Sequence, residues 1–156
     1  MAGMRFVWKD YCDDYQDMVE AFFDEEAKRF TGCDEGFQFF YEYWREELGA
    51  DNFWCKVVFE KDVPIAVIAF AKASNENFTI QELAVLPACR GKGYGTAILV
   101  ELLEKSQAVI EAAILTADAV IYPDNISSQK AFTKAGFMHT QIHPDGDAMY
   151  YRYTRC

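Results

Sequence analysis

The run Glu82-Leu-Ala-Val-Leu-Pro-Ala-Cys-Arg-Gly-Lys-Gly-Tyr-Gly-Thr96 joins a strand-like segment, Phe78 to Leu86, to a helical one whose Ile98, Leu99, Leu102 and Leu103 share a face. Three glycines and two cations, Arg90 and Lys92, fall within six residues at that junction. Glycine lets successive backbone N–H groups turn inward and admits a ligand close to the main chain. The start of the following helix adds unpaired N–H groups and a partial positive charge. Such a concavity suits a pyrophosphate. A turn that merely connected strand to helix would not need this density of glycine and charge.

Glycine loops serve several cofactors, and spacing chooses among them. A P-loop needs GxxxxGK[ST], and no glycine here has that partner. A dinucleotide fold needs GxGxxG, but Gly91-x-Gly93 is followed at the third place by Thr96. The pattern that fits is Arg90-x-x-Gly93-x-Gly95.

Upstream of the loop, strand-like runs cover Phe53 to Phe59 and Ile65 to Ala71. Turns at Glu60-Lys61-Asp62 and at Ser74 to Asn77 would make hairpins of them with the Phe78 to Leu86 strand. Further upstream, Met4 to Trp8 reads as a first strand, and Tyr11 to Phe30 as a helix with Tyr15, Met18, Val19, Phe22 and Phe23 on its apolar side. Gly32 and Gly36 break it, and a second helix runs from about Phe37 to Leu48, ended by Gly49. Downstream, Glu101 and Lys105 are expected to pair outside the apolar face of the post-loop helix. Ala113 to Ile121 reads as a strand. Asn125 to Ala135 reads as a helix capped by Asp124 or Asn125 and stopped by Gly136. Phe137 to Ile142 and Ala148 to Tyr153 close the chain as a hairpin. The order β-α-α-β-β-β-α-β-α-β-β implies an α/β mixed sheet, antiparallel at first, with a helical crossover between its fourth and fifth strands. Antiparallel strands before the loop argue against a doubly wound sheet.

Bulk properties bound the function. With 156 residues, no internal repeat and no linker, residues 1–156 read as a single domain able to bury a sizeable core. The chain is 51% hydrophobic, which excludes disorder, yet its apolar runs fall well short of a membrane span. The N-terminus has no apolar segment of signal-peptide length, so a cytoplasmic location is expected. The five cysteines, 12, 33, 55, 89 and 156, are odd in number and form no CxxC, the pattern of reduced thiols rather than a disulfide frame or zinc site. Two histidines, His139 and His143, give little material for a metal centre, and no metal is expected. A net charge of −10 works against nucleic acid and acidic membranes as partners and would attract cationic small molecules.

The glycine segment resembles the acyl-CoA-binding motif of the GNAT superfamily of N-acetyltransferases, Q/R-x-x-G-x-G/A. Asn125-Ile-Ser-Ser128-Gln-Lys-Ala131-Phe132-Thr-Lys-Ala-Gly136-Phe137 is similar to the family's last-helix pattern, and the Leu-Ala-Val run before Pro87 is typical of it. Together these matches cover about residues 78 to 140, and the strand order extends them to nearly the whole chain. The resemblance implies a small bacterial-type, single-domain acetyl-CoA-dependent N-acetyltransferase. In that family the fourth strand bends away from the fifth and the pantetheine arm enters the gap, pairing with the strand as an added β-strand would. Here the exposed groups would be those of Leu83, Ala84 and Val85. The N–H groups of Gly91, Lys92, Gly93, Tyr94, Gly95 and Thr96 would hold the pyrophosphate, with Arg90 at the rim. Asn125 would contact the arm from the other side, and Ser128 and Phe132 would line it. Asn125 is equally a helix cap, and Leu83 and Val85 are equally core residues of a strand.

Acetyl transfer from a thioester to an amine, by direct attack within a ternary complex as the resemblance implies, requires deprotonation of the amine, stabilisation of an oxyanion and departure of a thiolate. Glu82 is the candidate base; its alternative role is an anion that binds the amine without taking its proton. Thr79 and Gln81 occupy other places on the strand where relatives carry an acid. The backbone N–H of Val85 is the candidate donor to the thioester carbonyl. The sequence departs from many relatives at Phe132, where a tyrosine is thought to protonate the thiolate. Tyr94 and Tyr122 are more readily read as packing residues than as substitutes for it. Cys89 is not needed by direct transfer. The family's acceptor side implies a role for the first two helices, here rich in Phe22, Phe23, Phe30, Phe37, Phe39, Phe40, Tyr41, Tyr43 and Trp44 and in the acids Asp24, Glu25, Glu26, Glu46 and Glu47. An aromatic and acidic cleft would suit a cationic small-molecule amine or a peptide N-terminus. The simpler reading places the aromatics in the core and the acids on a solvated face. The alternative function is a non-catalytic acyl-CoA-binding sensor or regulatory domain. Homodimerisation through the aromatic surface or the last hairpin is a further expectation.

Overall fold

A computed structural model describes residues 3–31, 33, 35–74, 76–142 and 148–155, without the side chains of Phe30, Gln141 and Ile142. Seven strands form one mixed sheet: β1 (Val7–Asp10), β2 (Phe53–Glu60), β3 (Val63–Ser74), β4 (Asn77–Val85), β5 (Thr116–Ile121), β6 (Met138–Ile142) and β7 (Met149–Thr154). Their spatial order is β1-β2-β3-β4-β5-β7-β6. Pairing is antiparallel throughout except between β4 and β5, which are parallel. The expected class, an α/β mixed sheet with a crossover between its fourth and fifth strands, is the observed one. The crossover contains α4 (Tyr94–Glu104) and a short α5 (Ser106–Ile110), the latter not anticipated from the sequence.

Each face of the sheet buries its own apolar cluster. On one face, Phe70, Phe78 and Ile80 of the sheet pack with Ile98, Leu99, Leu102 and Leu103 of α4 and Phe132 of α6 (Ile126–Lys134). On the other, Val57, Val67, Ala69 and Ala84 pack with Val19 of α1 (Gln16–Glu20), with Phe22 and Phe23, and with Phe37 and Phe40 of α3 (Phe37–Leu48). The aromatic residues near the N-terminus are therefore mainly core, as the simpler reading held. Phe39 and Tyr43 are exposed exceptions. No helix among the described residues is long and apolar enough to cross a membrane.

Three expectations need correction. The helix read over Tyr11 to Phe30 is a 3-10 turn (Asp13–Tyr15), then α1, then α2 (Glu25–Phe30). Asp24 breaks it: the residue is extended, and its carboxylate accepts from the Ala27 N–H at 2.9 Å, capping a new helix rather than continuing the old one. The second correction concerns Glu101, expected on an outer face beside Lys105. It is only 8% exposed, and its carboxylate accepts from Arg5 N, Phe6 N and Trp8 Nε1 at 2.5, 3.1 and 2.8 Å. Those bonds explain the third: the amides of Arg5 and Phe6 are engaged by α4, and the first strand starts at Val7 instead of Met4. Gly32, His143 and Cys156, named above, and Asn75 within the turn read at Ser74 to Asn77 lie outside the described residues.

Two features prepare a cleft. The β4–β5 ladder contains only four pairs and stops at Ile80↔Ala119, so the strands part beyond it. Helix α2 bridges the two sides of that parting. At its start Asp24 accepts from Arg90, just after β4, at 2.8 Å, and Glu26 is ion-paired with the same guanidinium at 3.7 Å. Within its last turn Arg29 is paired with Asp124, just after β5.

Replacing Glu101 with Ala strands three donors and is expected to lower stability by about 3 kcal/mol, measured by urea unfolding with Trp8 fluorescence as one probe. The Ala27 amide, and then Arg90, hold the Asp24 carboxyl below its ordinary value. A lowered folded-state value means stability that is present above the unfolded carboxylate range and lost as pH falls through the folded value. Asn caps as well as Asp, so Asp24→Asn removes only the ion pair with Arg90. Its cost in urea unfolding is expected to be about 1 kcal/mol or less at pH 7, as for an exposed pair, and to vanish by the acid side of the transition.

Candidate active site

The parted strands open a cleft of about 510 Å³. Its floor is Ile80 to Val85 on one side and Ala119 to Ile121 on the other. Antiparallel pairing decides which backbone groups of β4 face it. The Leu86 N–H donates to Ile65 O at 2.8 Å across to β3. Alternate residues point the other way, so the N–H and C=O of Leu83 and Val85 face the gap while those of Ala84 face Val67 of β3. The three residues all line the cleft, but only Leu83 and Val85 present backbone groups to it. The Val85 carbonyl is already taken by Arg90 Nε at 3.1 Å.

Position within β4 also settles the acids. Phe70 pairs with Ile80 but Ala69 pairs with Glu82, so Gln81 is an extra, bulged residue. Ile80 belongs to the α4 side of the sheet, whereas Glu82 stands opposite Ala69 on the α1–α3 side. Were β4 regular at this point, Glu82 would alternate back to the face of Ile80, and its carboxylate would point into the α4-side core. Glu82 is 8% exposed and lines the cleft beside Gln81. Thr79 is paired with Ala71 and Asp118 below the opening and is not among the lining residues.

Above the floor sits the glycine cradle. Gly91 and Gly93 have φ of +76° and +84°, and a Cβ on either would meet no atom within 4 Å. The left-handed backbone explains the residue type, and the open space beside it leaves room for a ligand against the main chain. Gly93 caps α4, and the N–H groups of its first turn, Tyr94 to Thr96, have no intrahelical acceptor. The Thr96 hydroxyl donates to Ala131 O at 3.3 Å, fixing α4 against α6. Gly91, Gly93, Tyr94, Gly95 and Thr96 line the cleft. Lys92 is exposed and does not. Arg90 lines it too, yet its guanidinium is engaged by Asp24, by Phe22 O at 3.0 Å and by Val85 O. In this structure it fastens β4's end to α2.

The far wall is α6. The Asn125 side chain accepts from the Ser128 N–H at 3.3 Å, which identifies Asn125 rather than Asp124 as the cap, and both Asn125 and Ser128 line the cleft. Phe132 also lines it. Its ring is 5% exposed and packs edge-on against Phe137 at 4.9 Å. The Tyr94 hydroxyl donates to Glu60 at 2.6 Å, and that bond raises its pKa, so it is tied to the β2–β3 hairpin. Tyr122 is exposed and outside the lining. His139 is exposed on the last hairpin with its ring tilted against buried Tyr151, and Cys89 lines the cleft.

Sequence reasoning missed Lys130 and Lys134, exposed cations on the α6 wall, and Ala27 and Thr31 on the α2 wall. The i, i+4 spacing of the lysines was the available signal, since it puts both on the face that carries Ser127 and Ala131. Of the acids proposed for an acceptor side, Glu26 alone lines the cleft together with Glu82.

Comparison with known proteins agrees with this geometry. No curated protein matches the sequence. The aminoglycoside acetyltransferase AAC(6')-Ib, solved with paromomycin and acetyl-CoA, superposes with a TM-score of 0.75 at 17% identity, covering 97% of this chain and 94% of that one. A spermidine N-acetyltransferase SpeG chimera from Vibrio cholerae and hSSAT gives 0.75 at 11% identity, covering 97% and 96%. The N-acetyltransferase PseH of Campylobacter jejuni gives 0.70 at 13% identity, covering 98% and 100%. At these identities the likeness is one of fold. The family model described as acetyltransferase (GNAT) family matches residues 8–137, most of the chain. The protein belongs to the acetyltransferase (GNAT) family and is an N-acetyltransferase.

Proposed function

We propose that residues 1–156 act as one domain that moves the acetyl group of acetyl-CoA to the nitrogen of a small-molecule or peptide amine, by direct attack within one complex. The observation that carries this reading is the continuity of the cleft. Gap-facing backbone of Leu83 and Val85 runs directly into the cradle lined by Gly91, Gly93, Tyr94, Gly95 and Thr96. The cleft fits an extended amide-bearing arm that ends in a pyrophosphate. Acetyl-CoA, when bound, supplies the activated acyl thioester.

The chain's own groups then have separable tasks. The backbone of Leu83 pairs with the arm, and the cradle holds the phosphates. Lys130 and Lys134 make the α6 wall positive in a protein whose net charge is −10, which favours an anionic cosubstrate locally. Asn125, Ser128 and Phe132 support the arm from the α6 side. The Val85 N–H, which faces the gap, donates to the acyl oxygen, and Glu82, on the opposite face of the sheet from the α4 core, takes the proton that the amine loses. Tyr94 is engaged with Glu60 and Phe132 has no proton, so neither serves as an acid for the thiolate. The acids Glu26 and Glu82 favour a cationic acceptor. The likeness in fold to an aminoglycoside acetyltransferase and to a spermidine N-acetyltransferase chimera supports that class.

Acetyl-CoA binding by calorimetry, beside thiol release over a panel of amines, tests the reading. Binding with turnover of at least one amine is expected. Binding without turnover on any amine would favour an acyl-CoA sensor, and no binding would overturn the assignment of the cradle. In a protein that turns over, Glu82→Gln is expected to reduce kcat by about 10²–10⁴-fold while leaving acetyl-CoA affinity within about twofold, the signature of lost general-base catalysis.

A further inference from the structure

All three guanidinium nitrogens of Arg90 are engaged within the protein. Nη1 donates to both carboxylate oxygens of Asp24, at 3.1 and 2.8 Å, and lies 3.7 Å from the Glu26 carboxylate. Nη2 donates to Phe22 O at 3.0 Å and Nε to Val85 O at 3.1 Å. A planar fork matched to a carboxylate and two carbonyls is held in one orientation. Its partners are at the start of α2 and the end of β4, although Gly91, the next residue, begins the cradle. Helix α2 is the wall these bonds control. Phe22 and Phe23, just before it, pack with Ala84 and Ala69, so it stands on the face of the sheet where Glu82 emerges. Glu26 and Ala27, with Thr31 at the helix end, line the cleft, whereas Asp24 does not. The far end of α2 is held separately, by the pair of Arg29 with Asp124.

We propose that Arg90 is a positioning residue for the acceptor amine: by gripping Phe22 and Asp24 from the end of β4, it fixes where the α2 wall stands relative to Glu82. This rests on the N-acetyltransferase reading above and extends it to the contact that shapes the acceptor's side of the cleft. The bond from Nε goes to Val85, the residue whose N–H faces the gap, so one guanidinium refers the α2 wall to the strand that carries Glu82, Leu83 and Val85. With the far end of α2 held by Arg29, loss of the Arg90 tie lets the near end move, and Glu26 and Ala27 move with it. An amine held between that wall and Glu82 then loses its line of approach to the thioester, and a small misplacement of a reacting atom is costly. The cosubstrate is spared, because its phosphates meet the cradle and its arm meets Leu83. The motif arginine thus serves the second substrate rather than the first.

The test uses Arg90→Gln, Asp24→Asn and the double variant in the full chain, each assayed well below its thermal midpoint. Should Arg90→Gln not fold, Arg90→Lys, which keeps the charge but lacks the fork, takes its place. Two quantities are measured: the acetyl-CoA Kd by calorimetry and, at saturating acetyl-CoA, kcat/KM for an amine. That amine is whichever of spermidine, kanamycin and a glycine-terminated peptide the parent turns over fastest. Expected are a fall in kcat/KM of at least about threefold in both single variants and an acetyl-CoA Kd within about threefold of the parent's. The double variant is expected to be no worse than the poorer single one, because the contact made by Asp24 is already gone when Arg90 is replaced. A smaller fall in either single variant overturns the proposal, as do losses that multiply in the double variant. Arg90→Gln and Asp24→Asn remove opposite charges, so an effect of charge alone on a cationic amine would move their kcat/KM in opposite directions, and that result overturns it too. So does an acetyl-CoA Kd that weakens in Arg90→Gln and tightens in Asp24→Asn, which would assign Arg90 to the phosphates. Failure of the parent to turn over any amine would overturn the proposed function itself, and is distinguishable because it appears before any substitution is made.

Discussion

Strands β4 and β5 hydrogen-bond for four residue pairs and then separate, and nearly every feature of the cleft depends on that separation. Parallel neighbours ordinarily use both edges of each strand, leaving no main-chain group to spare. Past Ile80 the outer edge of β4 is instead turned to an opening, with Leu83 and Val85 presenting backbone groups that β5 does not take. An edge of this kind invites pairing by another chain unless something covers it. Here the cover is α2, fastened to the β4 side through Arg90 and to the β5 side through Arg29 and Asp124. The motif arginine therefore has a structural task as well as a position in the glycine loop: it joins the strand end, the α2 cap and the cradle into one piece.

The single bulged residue in β4 has an effect out of proportion to its size. Side chains alternate between faces along a strand, and one inserted residue moves everything after it to the other side. Ile80 faces the α4 core, and Glu82 emerges on the α1–α3 side. The same insertion ends the run of β4 that pairs on both edges. Charge placement is thus an outcome of backbone register, not of composition.

Much of this was legible in the residues. The glycine pattern at Arg90 to Gly95, the Asn125 to Phe137 run and the alternating segments located the strands, the crossover and the cradle, because turn chemistry and periodicity are local properties. Helix α3 was read with its observed limits for the same reason: Phe37 to Leu48 lies between two glycines with φ above +80°. What escaped was decided at long range. Asp24 and Arg90 are 66 residues apart, and Glu101 and Arg5 are 96 apart, so no window could show that α2 is fastened to the end of β4 or that Glu101 delays a strand. The inward turn of Glu101 looked like surface charge because an isolated glutamate beside an apolar stripe usually is. Lys130 and Lys134 were visible as a spacing but had no meaning until α6 was placed against the gap.

The cleft gathers features that each work against stability. Two glycines hold left-handed backbone, a strand edge is open, a glutamate is nearly buried and an amide oxygen lacks a partner. Such a concentration persists only if the surroundings hold it rigidly, and the surroundings here are unusually well tied. Helix α4, whose first turn forms the cradle, is anchored in the core by Ile98, Leu99, Leu102 and Leu103. It is tied again by Glu101 to the N-terminal segment, and by Tyr94 to Glu60, which also pairs with Arg5. The N-terminal residues, far from the cleft in sequence and taking no part in its lining, thereby fix the helix on which the cradle depends. Rigidity at the back of α4 lets its front carry unpaired donors, and that division of labour along one helix explains why a polar residue so costly to bury as Glu101 occupies its middle.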